Sequence, residues 1–172
     1  MTNYILDNYD LSDLFDTNKK SMSFSEDPRK HIPEFGSMIY TVWDNNEKFI
    51  YVGISGIGQS PNTPLPKRNP RSRIKQHQSG RRSGDQFCVY VHDYFVIPEL
   101  LKSNSYQPSR GYLDRLTKEY VQKKLRYRFL CFQTEDGVSI VRNLENKIKS
   151  GIFDLKPFLN GEEWKENYFQ LY

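Results

Sequence analysis

Apolar and polar positions alternate along one stretch in the first third of the chain and predict a β-hairpin. Met38–Trp43 and Lys48–Ser55 are rich in β-branched and aromatic residues, as strands usually are. Between them, Asp44–Glu47 supplies the polar residues that tight turns favour. Because side chains alternate across a strand, Tyr40 and Tyr51 are expected to share one face of the sheet.

Farther along, the pattern changes to helical spacing. Asn69 and Pro70 are suited to open a helix that ends before Gly80, and Arg73 and His77 would share one face of it. The later predicted elements are a helix at Arg110–Arg126, a strand at Tyr127–Gln133 and a helix at Val138–Ser150 that is ended by Gly151.

Two segments are harder to assign from the pattern. Tyr4–Phe15 is predicted to be a short amphipathic helix within an N-terminal arm, residues 1–35, that packs on the main domain or on a partner. Phe87–Val96 fits a helical period but has the composition of a strand, and helix is favoured. Asp85, just before it, is expected to cap this helix.

The net charge of +4 is modest, but the basic residues are concentrated in one segment. Residues 1–35 hold seven acids against four bases, whereas residues 67–82, called here the basic segment, contain no acid. Its members are Lys67, Arg68, Arg71, Arg73, Lys75, Arg81 and Arg82. Such a segment predicts contact with a polyanion, and we expect these residues to bind nucleic acid.

Composition and cysteine usage favour a globular protein of a reducing compartment. Cys88 and Cys131 are far apart and have no neighbouring Cys or His at zinc-site spacing. No apolar stretch approaches the roughly 20 residues that span a bilayer, and the first residues are acidic where a signal peptide would be basic. We therefore expect a cytoplasmic protein without a membrane partner.

Several side chains have the chemistry that phosphodiester hydrolysis needs. They are Tyr40, Tyr51, Arg73, His77 and Glu145. The reaction requires a base for water, positive charge for the transition state and help for the leaving oxygen. A phenol with a pKa near ~10 is a poor base at neutral pH, so Tyr51 would need a nearby cation. Gly53 is expected to leave room for a close approach of phosphate.

Five short motifs follow one another in the chain. They are Met38-Ile39-Tyr40, Tyr51-Val52-Gly53, Arg73–His77, Leu144–Lys149 and Lys156–Asn160. In this order and spacing they resemble the GIY-YIG nuclease superfamily over residues 37–160. The resemblance implies an α+β fold with a small three-stranded antiparallel sheet flanked by helices. It also implies a single Mg²⁺ or Mn²⁺ ion held by one glutamate.

The resemblance also implies roles for individual residues. Tyr51 matches the tyrosine that serves as general base or as its close assistant. Tyr40 matches the first tyrosine of the family, which lies near the nucleophilic water or the scissile phosphate. Arg73 matches the arginine that neutralises the transition state, and His77 matches a nearby aromatic or imidazole position.

Two further matches and two departures complete the resemblance. Glu145 matches the metal-binding glutamate, and Asn160 matches an asparagine that supports the site. Met38 stands where the family usually has glycine, and we expect this to change strand packing more than chemistry. Ile54 and Ser55 follow the second half-motif, where several members have a lysine.

The leading hypothesis is a metal-dependent endonuclease that hydrolyses double-stranded DNA, of restriction or defence type. Residues 36–172 would form the nuclease domain, with a helical insertion at about 81–126 and the arm as specificity elements. Double-strand cleavage would need a symmetric homodimer. Alternatives are a catalytically silent nucleic-acid-binding module of the same fold, a structure-specific or nicking nuclease, or a protein-interaction domain.

Overall fold

The computed structural model describes residues 4–57, 69–103 and 109–160, and the chain is α+β as predicted. Its strands are β1 (Ile5–Leu6), β2 (Tyr9–Asp10), β3 (Met22–Ser23), β4 (Ser37–Asp44), β5 (Phe49–Ser55) and β6 (Leu125–Phe132). Its helices are α1 (Ser12–Phe15), α2 (Arg71–Gln78), α3 (Gln86–Val91), α4 (Ile97–Ser103), α5 (Arg110–Lys124) and α6 (Gly137–Ser150). Short turns of 3-10 and π helix occupy Pro28–Lys30 and His92–Val96.

The main sheet is antiparallel and has the strand order β3-β6-β4-β5. The predicted hairpin is present as β4 and β5, and the predicted third strand is β6, which pairs with the other side of β4. Three strands were expected, but the sheet has four. The fourth is β3 of the predicted arm, where Met22 and Ser23 pair with Tyr127 and Arg126 of β6. A two-residue strand is too short to give a periodic signal in the sequence.

Helices cover both faces of this sheet. On one face, Tyr40 and Val42 of β4 pack with Ile74 of α2 and with the apolar residues of α3 and α5. On the other face, Ile39 and Trp43 pack with residues of α1 and α6. Every residue of β4 except Asp44 is buried, because β4 is a central strand with helices above and below it.

The N-terminal segment differs from its prediction. Tyr4–Phe15 forms a hairpin of β1 and β2 followed by the short helix α1, rather than one amphipathic helix. The reason is local, because Asp7 and Asn8 both adopt positive φ values (49° and 68°), as a two-residue hairpin turn requires. Leu14 is fully buried against the sheet, so this segment belongs to the core.

The region predicted as a helical insertion is helical. It consists of α3, the π turn, α4 and α5, and this confirms helix rather than strand for Phe87–Val96. Asp85 caps α3, since its Oδ1 accepts a hydrogen bond of 3.2 Å from the backbone N–H of Phe87. Among the described residues, no helix is both long and apolar enough to cross a membrane.

Residues after α6 return to the outer edge of the sheet. Gly151 ends α6 with a φ of +100°. Phe158 and Leu159 then donate backbone hydrogen bonds to the carbonyls of Phe49 and Ile50 on β5. The first half of this edge strand is thereby covered, as exposed edges of sheets commonly are.

Candidate active site

The two tyrosines of the hairpin lie on the same face of the sheet. Tyr40 is paired with Gly53 across the strands, and Tyr51 is paired with Val42, the next residue on that face of β4. The centroids of the two phenol rings are 6.3 Å apart. The alternation of side chains predicted this juxtaposition, and α2 and α3 pack on the same face.

Gly53 has a different part in the site from the one expected. A Cβ atom at this position would lie 2.4 Å from Tyr40 Oη and 2.9 Å from Tyr51 Cε1. The space that the glycine leaves is therefore filled by the Tyr40 phenol, and it does not form an opening for phosphate. The glycine allows the first tyrosine to lie flat across the neighbouring strand.

The phenol of Tyr40 is directed to α2. Its Oη lies 2.7 Å from Nε2 of His77, and the two side chains are only 1% and 2% exposed. His77 also contacts the ring of Tyr51 edge-on and packs against Phe87 of α3. The helix that the sequence predicted from Asn69 and Pro70 therefore presents His77 to both tyrosines.

Asp85 completes a buried hydrogen-bonded cluster that the sequence analysis missed. Its Oδ2 lies 2.7 Å from Nδ1 of His77, and Cys88 Sγ donates to the same oxygen at 3.2 Å. Asp85 was expected only to cap a helix, which its other oxygen does. A capping carboxylate eight residues after a histidine gives no periodic signal, because the loop between the two helices sets their separation.

Burial raises the pKa of both phenols. For Tyr51 the charge of Glu145 raises the pKa further, followed by that of Asp85, while the Arg73 guanidinium lowers it. For Tyr40 the neighbouring Tyr51 and Asp85 are the largest charged influences after burial. Both phenols therefore hold their protons in the resting protein, and ionising Tyr51 would require additional positive charge beside it.

Glu145 lies on α6, which packs on the opposite face of the sheet from α2. The charge of Glu145 nevertheless raises the pKa of both phenols, after the larger effect of burial. The side chain of Glu145 is 16% exposed, and its Oε1 is paired at 3.0 Å with Nζ of Lys149, one helical turn later. Lys149 was not among the predicted site residues, although the spacing of four residues could have indicated the pair.

The available ligand atoms determine which metal ion this protein could bind. A lone, partly exposed carboxylate such as Glu145 suits Mg²⁺, which takes few protein ligands and keeps several waters. Among the described residues, His77, Asp85 and Cys88 also bring three ligand atoms together. They do not fit a tetrahedral ion, whose ligand atoms lie roughly 3.3 Å apart, because His77 Nδ1 and Asp85 Oδ2 are 2.7 Å apart. Burial also raises the pKa of the Cys88 thiol, which opposes thiolate formation.

Arg73 and its neighbours line an open cavity between the end of β5 and α2. The cavity holds about 340 Å³ and is lined by residues of the β5 end and of α2, namely Ile54, Ser55, Gly56, Ile57, Ser72, Arg73 and Gln76. Arg73 is exposed, and its Nη1 donates to Gln76 Oε1 at 3.0 Å. A guanidinium in this position is accessible to an anion.

The other predicted nucleic-acid contacts have different surroundings. Lys75 and Arg81 are exposed, while Arg71 Nε donates to the carbonyl of Ile32 at 2.7 Å. Arg82 is held by Asp114 of α5, at 2.9 Å from Nε to Oδ1. Lys67 and Arg68 lie outside the described residues.

Asn160 supports the edge strand through its side-chain amide. Its Nδ2 donates to the carbonyl of Val52 at 2.7 Å, and its Oδ1 accepts from the N–H of Val52 at 3.2 Å. The amide thus replaces a strand partner next to Gly53 and holds the backbone between the two site positions Tyr51 and Gly53.

Comparisons with models of protein families, with curated proteins and with solved structures find no match to this chain.

Proposed function

We propose that this chain is a divalent-metal-dependent endonuclease with a GIY-YIG-type fold that hydrolyses phosphodiester bonds in DNA. The single observation that carries the proposal is the hydrogen bond of 2.7 Å between Tyr40 and His77, beside a second phenol on which Glu145 and Arg73 both act. Tyr40 and His77 are in direct contact, and the charges of Glu145 and Arg73 both act on Tyr51. Their chemistry matches the needs of the reaction.

The positive charge for the transition state would come from Arg73. It is exposed, it lines the cavity at the end of β5, and a guanidinium can bond two phosphate oxygens at once. Lys75 is exposed on the same helix and can contact a neighbouring phosphate. Both residues would orient the scissile bond toward the phenols.

The tyrosines would handle the proton of the attacking water. Tyr51 is the more accessible phenol, and the charges of Glu145 and Arg73 both act on it. Tyr40 lies deeper, and its hydrogen bond to His77 gives it a proton acceptor already in place. A phenol whose pKa is raised by burial becomes a useful base only when cationic charge approaches it.

The metal of the proposal would be held by Glu145. Bound Mg²⁺ or Mn²⁺ supplies positive charge to the phosphate oxygens and to the leaving oxygen. Lys149 would orient the carboxylate of Glu145 through its contact of 3.0 Å. The chain's own residues therefore provide the carboxylate, its orienting cation and the phenols beside it.

The biological setting that we propose is restriction or a related defence against foreign DNA. The helical region α3 to α5 adds to the catalytic sheet and helices a surface that can contact the duplex beyond the cleaved bond. Cleavage of both strands with one site per chain would use two copies in a symmetric dimer.

The test is incubation of plasmid DNA with the purified chain in Mg²⁺, in Mn²⁺ and in EDTA. We expect cleavage that requires metal and falls on the order of 10²–10⁴-fold in Tyr51→Phe. Glu145→Gln should lower cleavage at least as much, and raised metal concentration should partly restore it. Tyr9→Phe and Glu135→Gln are the matched controls, because both residues lie away from the site.

Three outcomes separate the hypotheses. Metal-dependent cleavage that Glu145→Gln abolishes and Glu135→Gln retains supports the nuclease. DNA binding without cleavage in any metal contradicts it and favours a silent nucleic-acid-binding module. Absence of salt-dependent DNA binding contradicts both.

A further inference from the structure

A buried chain of hydrogen bonds leads from the site into the protein interior. It begins at the Tyr40 hydroxyl, passes through both ring nitrogens of His77 and ends at the carboxylate of Asp85, with two links of 2.7 Å. The three side chains are at most 2% exposed. Water is thus excluded as an alternative partner, and each group must bond to the next one in the chain.

The chemistry of Asp85 determines the direction of these bonds. An ionised carboxylate only accepts hydrogen bonds, and hydrogen bonds from His77 and Cys88 hold the pKa of Asp85 below its ordinary value in spite of burial. Nδ1 of His77 must therefore donate to Asp85. In the neutral ring Nε2 then carries a lone pair, and the Tyr40 hydroxyl must donate to it.

We propose that Asp85 is a positioning residue, which fixes the tautomer of His77 so that Tyr40 donates its proton inward and turns its oxygen lone pairs to the site. The hydrogen-bond direction follows from the two contacts of 2.7 Å and from the ionised carboxylate of Asp85. Its catalytic meaning rests on the proposed nuclease function. From the sequence alone, Asp85 is expected only to cap a helix.

The proton movements of the proposed step are balanced. A water admitted beside Tyr40 when substrate binds would lose a proton to the Tyr40 oxygen as its O–H bond breaks, while the phenol's own proton passes to Nε2 of His77. The hydroxide oxygen bonds to phosphorus, the phosphorus–oxygen bond to the leaving group breaks, and the leaving oxygen takes a proton from solvent. The imidazolium thus formed lies against the Asp85 carboxylate, which stabilises it.

The groups around these three side chains agree with proton transfer from Tyr40 to His77. Asp85 is the negative charge nearest to His77, and Tyr51, Glu145 and Arg73 are the other groups that act on Tyr40. Cys88 donates to the oxygen of Asp85 that also bonds His77, so that oxygen has two donors. The second oxygen is occupied by the helix cap.

The first test needs no substrate. The chain has three histidines, His31, His77 and His92. In ¹⁵N-histidine-labelled protein at about pH 8, we expect the His77 signals to show a protonated Nδ1 and an unprotonated Nε2, with assignment by a His77→Gln variant. A proton on Nε2, or on both nitrogens at this pH, overturns the proposal.

The second test reverses the direction of the hydrogen bonds from Tyr40 through His77 to Asp85. Asp85→Asn keeps a helix-capping oxygen, but its amide can turn an N–H to His77, which should move the ring proton to Nε2. Cys88→Ala is the matched control, because it removes the other donor to Asp85 and leaves the tautomer unchanged. If Asp85→Asn does not fold, the tautomer of the unmodified protein still decides the matter.

Kinetics separate this inference from the proposed function. In an active nuclease we expect Asp85→Asn to lower kcat on the order of 10²–10⁴-fold with little change in KM for DNA, and Glu135→Gln, at an exposed position in the turn before α6, to retain kcat. An unchanged kcat in a folded Asp85→Asn variant overturns the role of Asp85 and leaves the nuclease intact. The expected tautomer in a chain that cleaves no DNA overturns the nuclease and leaves the hydrogen-bond direction standing.

Discussion

At the scale of single residues, Gly53 controls the position of Tyr40. Gly53→Ala would place a methyl group 2.4 Å from Tyr40 Oη, so the phenol must move and its bond to His77 must lengthen or break. We expect the free energy of unfolding to fall by about 1–3 kcal/mol. Urea denaturation measures this change.

Gly111→Ala is the control for that prediction. This glycine lies in α5, and a Cβ there would meet no atom within 4 Å. Alanine should leave stability unchanged or raise it by up to ~1 kcal/mol, because alanine favours the helix. Equal stability of the two variants would show that the contact between Gly53 and Tyr40 is not close.

Asp85 predicts a specific loss of stability in acid. Burial raises its pKa, but the bonds from His77 and Cys88 outweigh burial and hold the pKa below its ordinary value of 3.8. A folded-state pKa below the unfolded one adds stability that is present above about pH 4 and is lost as the pH falls through the folded-state pKa.

The measurement is urea unfolding at about pH 5, 4 and 3 of the unmodified chain and of Asp85→Asn. We expect the unmodified chain to lose more stability than the variant over this range, because only it has the carboxylate to protonate. Parallel losses would mean that the pKa of Asp85 is not lowered by folding.

At the scale of elements, the amide of Asn160 holds the edge of β5. Asn160→Ala removes two hydrogen bonds to Val52, and we expect it to cost about 1–3 kcal/mol and to speed exchange of the Val52 amide hydrogen. Hydrogen exchange followed by NMR checks this. Asn146→Ala, at an exposed position of α6, should leave that exchange rate unchanged.

The elements with a strong periodic signal were the ones that the sequence predicted correctly. The β4–β5 hairpin and the helices α2, α5 and α6 appear within a few residues of their predicted bounds. The N-terminal helix was wrong because two consecutive positive φ values at Asp7 and Asn8 depend on backbone conformation, which an apolar stripe does not report. Strand β3 was missed because its partner β6 is remote in sequence.

Within the candidate site, too, the sequence predicted the residues with a periodic signal and not those placed by tertiary packing. Tyr40, Tyr51 and His77 came together because alternation and helical spacing fix their directions. Asp85 could not be predicted in its second role, since its distance from His77 depends on how α3 packs against α2. The filling of the space beside Gly53 depends likewise on the rotamer of a neighbouring phenol.

At the scale of the whole molecule, the distribution of basic residues predicts how DNA binding depends on salt. Lys75 is exposed, whereas Arg82 is engaged by Asp114. We expect Lys75→Ala to reduce the slope of log affinity against log salt by roughly 1, and Arg82→Ala to lower stability with little change of slope. Fluorescence anisotropy with a labelled duplex over a salt series measures both. A larger change of slope in Arg82→Ala would assign that arginine to the interface.

The strand order has a consequence for how the protein is made. Strand β6 occupies an interior place in the sheet, between β3 and β4, although both of these precede it along the chain. During synthesis on the ribosome, the β4–β5 hairpin can form early, but β3 has no neighbour until β6 emerges and enters the gap. Newly made chains should therefore pass through a stage with an open sheet edge, and chaperones that shield such edges should raise the yield of native protein.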